Sequence, residues 1–350
     1  MKIAMPKLLS ASPWLSSAAI NVLIGGIGLI TGMLLARTLG PTGRGVLAES
    51  LLWPGFVLIL GSIVNLQTGA YFWTKAKSSD DFSYHTVLGT NLLLSALLTV
   101  VLVFIGLGVN ILALGLPQKQ SFGAANVFLA SIPLSLFGAC FLSVFLAEER
   151  YDIFWGLRIL QPTLYLSGLL ILLLVISLSV FNIVLVMLIA MFIQLATAVG
   201  MYFRRHPFRF SFNRHLTIST VWYGTRTNMA GLPYHLNARL DQLLMSLLLS
   251  PDVLGYYVVA VGFSSLLSFI GNGVSMVMLP QSAGTDPTDQ DRVLELVRKF
   301  RSLMLGLAAI GVAAAIASPF AIKILFGNEF VRAIILRQSC VLPVAYSIAI

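Results

Sequence analysis

The sequence predicts an all-α membrane protein that crosses a bilayer many times, and three observations support this fold class. Of the 350 residues, 58% are hydrophobic and 10% are charged, whereas soluble domains are about half apolar and about a quarter charged. The apolar residues form runs of about 20, the length that a helix needs to cross the hydrocarbon core. These runs lack the alternation over about ten residues that membrane β-strands show. Since lipid accepts only helices and closed barrels, sheet-based enzyme folds are excluded.

The first part of the chain contains six predicted spans. Ile159–Phe203 carries no charge and is too long for one span, so Ser177–Asn182 is interpreted as a turn between spans five and six. The first four spans lie at about Trp14–Leu35, at about Val46–Val64, within Thr86–Leu116 and within Asn126–Ala147.

A basic and aromatic connector, Arg204–Arg226, divides the chain. Four further spans are predicted at about Asn228–Leu249, about Val253–Met278, about Ser302–Ser318 and from near Ile334 onward. If the second half mirrors the first, two spans are missing and the chain is a C-terminally incomplete copy of a twelve-span protein. A genuine ten-span protein is the alternative. We therefore expect an N-terminal lobe at residues 1–210, with the start of the connector, and an incomplete C-terminal lobe at residues 211–350.

A repeated turn supports this two-lobe organisation. Pro41 and Gly45 lie four residues apart in a turn between two apolar runs, and Pro251 and Gly255 have the same spacing in a second such turn. Proline and glycine both interrupt helices. A turn that returns at half-chain distance is typical of a transporter built from two copies of one architecture.

The placement of Lys and Arg predicts a cytoplasmic N-terminus. Fifteen of them lie in the N-terminus and the even-numbered loops, and seven lie on the other side, which follows the positive-inside rule. The net positive charge is thus a membrane signal and predicts no nucleic-acid partner. Cys140 and Cys340 lie in apolar runs without metal-ligand spacing, so neither a metal nor a cofactor is predicted.

Three stretches resemble motifs of Wzx-type polysaccharide flippases. Ala36–Gly45 resembles their AR-x-LGP-x-x-x-G turn after the first span. Leu240–Leu244 with Ser250–Tyr257 resembles their D-x-LLLG and LG-x-Y region at spans seven and eight. Pro319–Phe320 with Phe326–Phe330 resembles their P and LFG-x-x-Y/F stretch. The matches occur in the same order as in that family.

The resemblance implies a member of the multidrug/oligosaccharidyl-lipid/polysaccharide exporter superfamily. Such proteins have two six-helix lobes around a central cavity and flip undecaprenyl-diphosphate-linked glycans across the bacterial inner membrane. The expected partners are therefore a lipid-linked glycan, the bilayer and the polysaccharide polymerase machinery. No catalytic residue is expected, since flipping makes no bond.

Polar residues inside spans are costly in lipid and mark substrate pathways. On predicted span seven, Asn228, His235, Arg239 and Gln242 fall within about 60° on a helical wheel of 3.6 residues per turn. We interpret this face as a cavity lining in which Arg239 meets phosphate and His235 and Asn228 meet sugar, because the guanidinium fork matches phosphate oxygens. Alternatively, Arg239 and Asp241 tie the span to neighbouring helices. Asp241 is either structural or ion-coupling.

The first hairpin offers a second set of candidates. Arg37 is expected near the diphosphate, or else it is an interfacial residue whose charge reaches the membrane surface. Glu49 is either an ion-coupling carboxylate or a structural partner of an arginine. Asn21 and Asn65 are further cavity candidates, and helix–helix hydrogen bonds are the alternative for both.

The leading functional hypothesis is the flipping of a lipid-linked oligosaccharide for O-antigen or another surface polysaccharide. A cation-coupled multidrug exporter and a peptidoglycan-precursor flippase are the alternatives within the superfamily. An alternative of another class is a membrane polyprenyl-glycan polymerase or ligase. That class is expected to need a large outward loop or a carboxylate motif, and no outward loop here is long enough.

Overall fold

The computed structural model of the protein describes residues 13–78, 83–115, 120–175, 178–206, 211–262, 298, 301–302, 305–306, 320 and 323–331. Within these residues all regular structure is helical, which confirms the all-α fold class. The helices are α1 (Pro13–Gly61), α2 (Leu66–Ser78), α3 (Tyr84–Leu114), α4 (Gln120–Phe128), α5 (Ser131–Ala147), α6 (Tyr151–Val175), α7 (Val180–Phe203), α8 (Arg214–Leu248), α9 (residues 251–262) and a 3₁₀ turn at Asn328–Val331.

In the described part of the chain, five helical stretches are long and apolar enough to cross a membrane. They are Ala19–Ala76, Tyr84–Leu114, Gln120–Ala147, Tyr151–Val175 and Val180–Phe203. The first is 58 residues long and contains most of predicted span one and all of predicted span two. α8, which contains predicted span seven, is too polar to be among them. The total number of spans stays a prediction, because most of predicted span eight and all of spans nine and ten lie outside the residues described as continuous helix.

Two predicted turns lie between consecutive helical segments. Within α1, Gly40 alone has a non-helical backbone, with φ 65° and ψ −178°. That conformation is essentially reserved for glycine, and Pro41 then suits the first position of the following helical segment. The helix therefore resumes at Pro41, earlier than the predicted start at Val46. The second turn follows α6, where the Ser179 hydroxyl accepts a hydrogen bond from the Asn182 amide at 3.2 Å and caps α7.

The predicted connector Arg204–Arg226 has regular structure from Arg214 onward, where α8 begins. Asn213 caps α8 there, since its Oδ1 accepts hydrogen bonds from the amides of His215 at 2.8 Å and Leu216 at 3.2 Å. Four buried residues at a spacing of four then form the packed stripe of α8: Leu216, Thr220, Gly224 and Asn228. The charged and aromatic side chains that indicated a connector lie on the other faces of the helix, as Arg226 does over the Trp222 ring.

The chain divides into two compact units, residues 1–45 with 252–350 and residues 46–251. Each unit has apolar packing of its own. In the first unit, Ala36, Val259, Ala260, Phe326 and Phe330 form a buried cluster. In the second unit, such a cluster consists of Val57, Leu102, Leu129, Ile132 and Leu136. These two units are defined by contacts between residues. The predicted lobes, residues 1–210 and 211–350, are instead defined as repeats along the sequence, and they stay a prediction.

Candidate functional site

The helical path of predicted span two is broken between Gly61 and Leu66, inside an apolar stretch. The Asn65 side chain starts α2, because its Oδ1 accepts a hydrogen bond from the Thr68 amide at 2.8 Å. The Ile63 amide donates to the Gly61 carbonyl at 2.8 Å. Backbone polar groups that leave a helix in apolar surroundings must be satisfied by protein or by water. The break is therefore a candidate lining for a polar pathway.

α8 supplies the groups that satisfy this break. The Asn228 amide nitrogen donates to the carbonyl oxygens of Ile59 at 3.3 Å and Leu60 at 3.1 Å. These carbonyls belong to the last turn of α1, which has no further helix to pair with. Asn228 is only 8% exposed. The structure thus brings two predicted site residues, Asn65 and Asn228, to one helix break, and Asn228 makes a helix–helix hydrogen bond there.

The close approach of α8 depends on a glycine. A Cβ built on Gly224 would lie 2.2 Å from the Ile63 carbonyl oxygen, which is closer than real Cβ contacts allow. After the break, α2 packs against α8 through the rings of Tyr71 and Tyr223, which stack with centroids 4.4 Å apart. The hydroxyls of Thr68 and Thr227 lie 3.5 Å apart. α8 therefore packs closely against the break and against α2 after it.

The remaining predicted residues of span seven lie farther along α8. His235 and Arg239 are exposed, and Asp241 and Gln242 are partly buried. The Asp241 carboxylate accepts a hydrogen bond from the backbone amide of Gln242 at 2.7 Å. The predicted face therefore has a buried end at Asn228, which fixes the helix, and an accessible end that carries a cation and an imidazole. Substrate binding by these residues stays a prediction.

Glu49 is buried within the second unit, with 1% of its surface exposed. Its Oε2 accepts a hydrogen bond from the Ser121 hydroxyl at 2.9 Å. Ser50 joins the same cluster, since its hydroxyl donates to the Val46 carbonyl at 2.8 Å and to the Ser121 carbonyl at 3.2 Å. A buried carboxyl group in an apolar segment can bind a proton or a cation, so the ion-coupling and structural interpretations of Glu49 both stay open.

Arg37 binds backbone oxygens in the first unit. Its guanidinium donates to the carbonyl of Leu325 at 2.9 Å and to that of Ile324. These carbonyls lie at the end of a short helical stretch, where a cation is favourable. Arg37 is exposed, while Asn21 lies on α1 and is partly exposed. The predicted contact of Arg37 with diphosphate and the predicted role of Asn21 in the cavity stay predictions.

The two repeated turns touch each other in the first unit. A Cβ built on Gly255 would lie 1.9 Å from the Pro41 carbonyl oxygen and 3.1 Å from the Gly45 nitrogen. Glycine at 255 therefore allows α9 to pack directly on the first hairpin. The spacing of Pro and Gly in the sequence identified both partners of this contact but gave no sign that they meet.

Among the described residues, no group of three His, Cys, Asp or Glu side chains could hold a metal. Cys140 is buried and lies 3.2 Å from the Ser95 hydroxyl. Cys340 lies outside the described residues.

Comparisons with known proteins agree with this architecture. A family model described as "Polysaccharide biosynthesis protein" matches residues 34–335. A crystal structure of a MATE mutant aligns with a TM-score of 0.57 and 15% sequence identity, over 94% of this chain and 79% of that chain. At this identity the likeness shows the fold alone. A comparison with curated proteins finds no match.

Proposed function

The chain belongs to the family of polysaccharide biosynthesis proteins, and we propose that it flips an undecaprenyl-diphosphate-linked oligosaccharide across the bacterial inner membrane. It is a multi-pass membrane protein with a MATE-like fold, and the resemblance to Wzx-type flippases agrees with both. The proposal includes the substrate, the inner membrane, a cytoplasmic N-terminus and use of the flipped glycan in surface polysaccharide assembly, where a polymerase receives it.

The observation that carries the proposal is the break between α1 and α2, together with the hydrogen bonds that Asn228 donates to the last turn of α1. Discontinuous helices form substrate sites in many transporters. In this proposal Asn65 and Asn228 hold the irregular backbone, and the exposed part of α8 faces the glycan. Arg239 then meets the diphosphate, because guanidinium binds phosphate with two parallel hydrogen bonds. His235 and Gln242 supply hydrogen bonds to sugar hydroxyls.

Replacement of Arg239 tests the proposal in cells. In a strain that depends on the full-length protein for surface glycan, we expect Arg239→Ala to abolish export and to cause lipid-linked oligosaccharide to accumulate. Arg226→Ala is the matched control, since Arg226 lies on the same helix and packs over Trp222 with 4.3 Å from its Cζ to the ring centroid. Protein level and membrane insertion are measured for both. Normal export by Arg239→Ala would remove Arg239 from the site.

A cation-coupled multidrug exporter is the second candidate, and the buried Glu49 favours it. Acidic groups inside the membrane serve as proton relays in pumps and transporters. In this case vesicles with the wild-type protein export a cationic dye in response to a proton gradient, and Glu49→Gln stops the export. Dye export without any movement of glycan would favour this candidate over the flippase.

A further inference from the structure

A cavity of about 340 Å³ lies within the first unit, between α1 and α9. Its volume falls in the range of about 300–1,000 Å³ that is typical of ligand pockets. The lining consists of glycine and apolar side chains from the two helices, together with Phe326 and Arg44. Arg44 is the only charged residue among the described residues that line it.

The glycines of this cavity are not explained by close packing. A Cβ built on Gly28, Gly32 or Gly262 meets no atom of the described residues within 4 Å. Gly255, seven residues before Gly262 on α9, shows the opposite case, since its Cβ would lie 1.9 Å from the Pro41 carbonyl oxygen. Glycine inside a helix costs conformational entropy. At positions 28, 32 and 262 the absence of a side chain leaves open space and does not serve a close helix contact.

Arg44 adds a specific chemistry to this open space. The residue is partly buried, and its Nε atom is shielded from solvent. A guanidinium group is the side chain best suited to phosphate, and the cavity beside it is lined mainly by apolar groups. The fitting ligand is an amphiphile with an anionic head and a hydrocarbon chain.

We propose that this cavity binds the lipid end of the substrate in a step separate from the contact of Arg239 with the diphosphate: the isoprenoid units next to the diphosphate pack against Gly28 and Gly32, and Arg44 contacts the phosphate that bears the chain. The inference rests on the proposed function and adds a site for the carrier lipid, whose residues are different from those of the glycan face on α8. A bulk anionic phospholipid offers the same head-group chemistry and is the occupant to be distinguished from the isoprenoid carrier.

Substitutions on one face of α1 can fill the cavity without forcing the helices apart. Gly28→Leu and Gly32→Leu each place a side chain in the open space. Gly26→Leu is the matched control, because its Cβ also meets no described atom within 4 Å while Gly26 does not line the cavity. Arg44→Gln removes the charge and leaves a shorter polar side chain, and Arg44→Lys keeps the charge.

The experiment uses the full-length protein in vesicles and an undecaprenyl-diphosphate oligosaccharide that carries a diazirine in its phosphate-proximal isoprene unit. After irradiation, we expect labelled peptides that contain residues 24–32 or 258–262. Gly28→Leu and Arg44→Gln should lower this labelling at least tenfold, Arg44→Lys should restore part of it, and Gly26→Leu should leave it unchanged. These results would support the proposal.

Three results would overturn it: labelling confined to other peptides, undiminished labelling of Gly28→Leu, or equal labelling of the same peptides by a diazirine-bearing phosphatidylglycerol, which would assign the cavity to bulk lipid. Glycan translocation is measured in the same vesicles. If the wild-type protein translocates the glycan but the cavity is not labelled, the carrier-lipid site is refuted and the proposed flipping stands. Labelling of the cavity without translocation refutes the proposed flipping and leaves a carrier-lipid site.

Discussion

The two interruptions near the start of the chain, at Gly40 and at residues 62–65, are stabilised in different ways. The first depends on local backbone chemistry, since Gly40 adopts a positive φ and Pro41 begins the next helical segment. The second depends on a distant helix, since Gly224 and Asn228 of α8 contact its carbonyl oxygens. A break that needs a partner can change when the partner moves, whereas a glycine turn stays fixed. The break at residues 62–65 is therefore the better candidate for a moving part of a transporter.

The largest effect is expected from Gly224→Ala, which tests the partner-dependent break. The added Cβ would lie 2.2 Å from the Ile63 carbonyl oxygen, and backbone can yield there only by displacing α8. We expect the free energy of unfolding to fall by about 3 kcal/mol, measured by thermal melting in detergent. Gly200→Ala is the control, because its Cβ meets no described atom within 4 Å. Equal melting temperatures for the two variants would contradict the close contact.

Asn228→Leu should have the next largest effect. It leaves the carbonyls of Ile59 and Leu60 without the amide that now donates to them at 3.3 and 3.1 Å. The Ile59 carbonyl keeps the Ser62 amide as a donor at 3.4 Å, and loss of the Asn228 hydrogen bonds should lower the free energy of unfolding by about 2 kcal/mol. Hydrogen exchange at residues 59–66 should also accelerate. Asn237→Leu, at an exposed position of the same helix, should change neither quantity, and a variant pair that behaves alike would refute the role of Asn228.

Gly40→Ala tests the locally stabilised interruption. Alanine at φ 65° is strained, and its Cβ would also lie 3.2 Å from the Glu329 carboxylate. We expect a loss of about 1.5 kcal/mol. Hydrogen exchange should accelerate around residues 37–44 and stay unchanged at residues 59–66. Gly108→Ala, at an exposed helical position with open space, serves as the control. An effect of Gly40→Ala that spreads to α8 would weaken the contrast between the two interruptions.

The smallest effect is expected from Tyr223→Leu, which removes the ring that stacks on Tyr71 at 4.4 Å. Loss of this stacking should lower the free energy of unfolding by about 1 kcal/mol. Tyr234→Leu changes an exposed tyrosine on the same helix and should be neutral. If Tyr71→Leu and Tyr223→Leu each destabilise but their effects simply add in the double variant, the two rings do not interact.

The sequence predicted the features that depend on composition and on neighbouring residues. Long uncharged runs indicated membrane helices because few alternatives exist in lipid. The turn at Gly40 and Pro41 was predictable for a similar reason, since proline and glycine act on the backbone where they stand.

Features that depend on distant partners were not predicted. Val46–Val64 reads as one span, and nothing around Ile63 indicates that a residue on α8 will satisfy its neighbours. The partner of Glu49, Ser121, lies 72 positions away. One missed signal was present: Leu216, Thr220, Gly224 and Asn228 recur every four residues, a helical spacing that shows the connector to be the start of α8.

Translocation in reconstituted vesicles tests the central claim most directly. The full-length protein and its Arg239→Ala variant are reconstituted at equal density with a fluorescent undecaprenyl-diphosphate oligosaccharide, and a membrane-impermeant quencher reports the glycan on the outer leaflet over time. The account predicts that the wild-type protein exchanges the glycan between leaflets and that the variant does so no faster than protein-free vesicles. Vesicles with the wild-type protein that match the protein-free ones would contradict it.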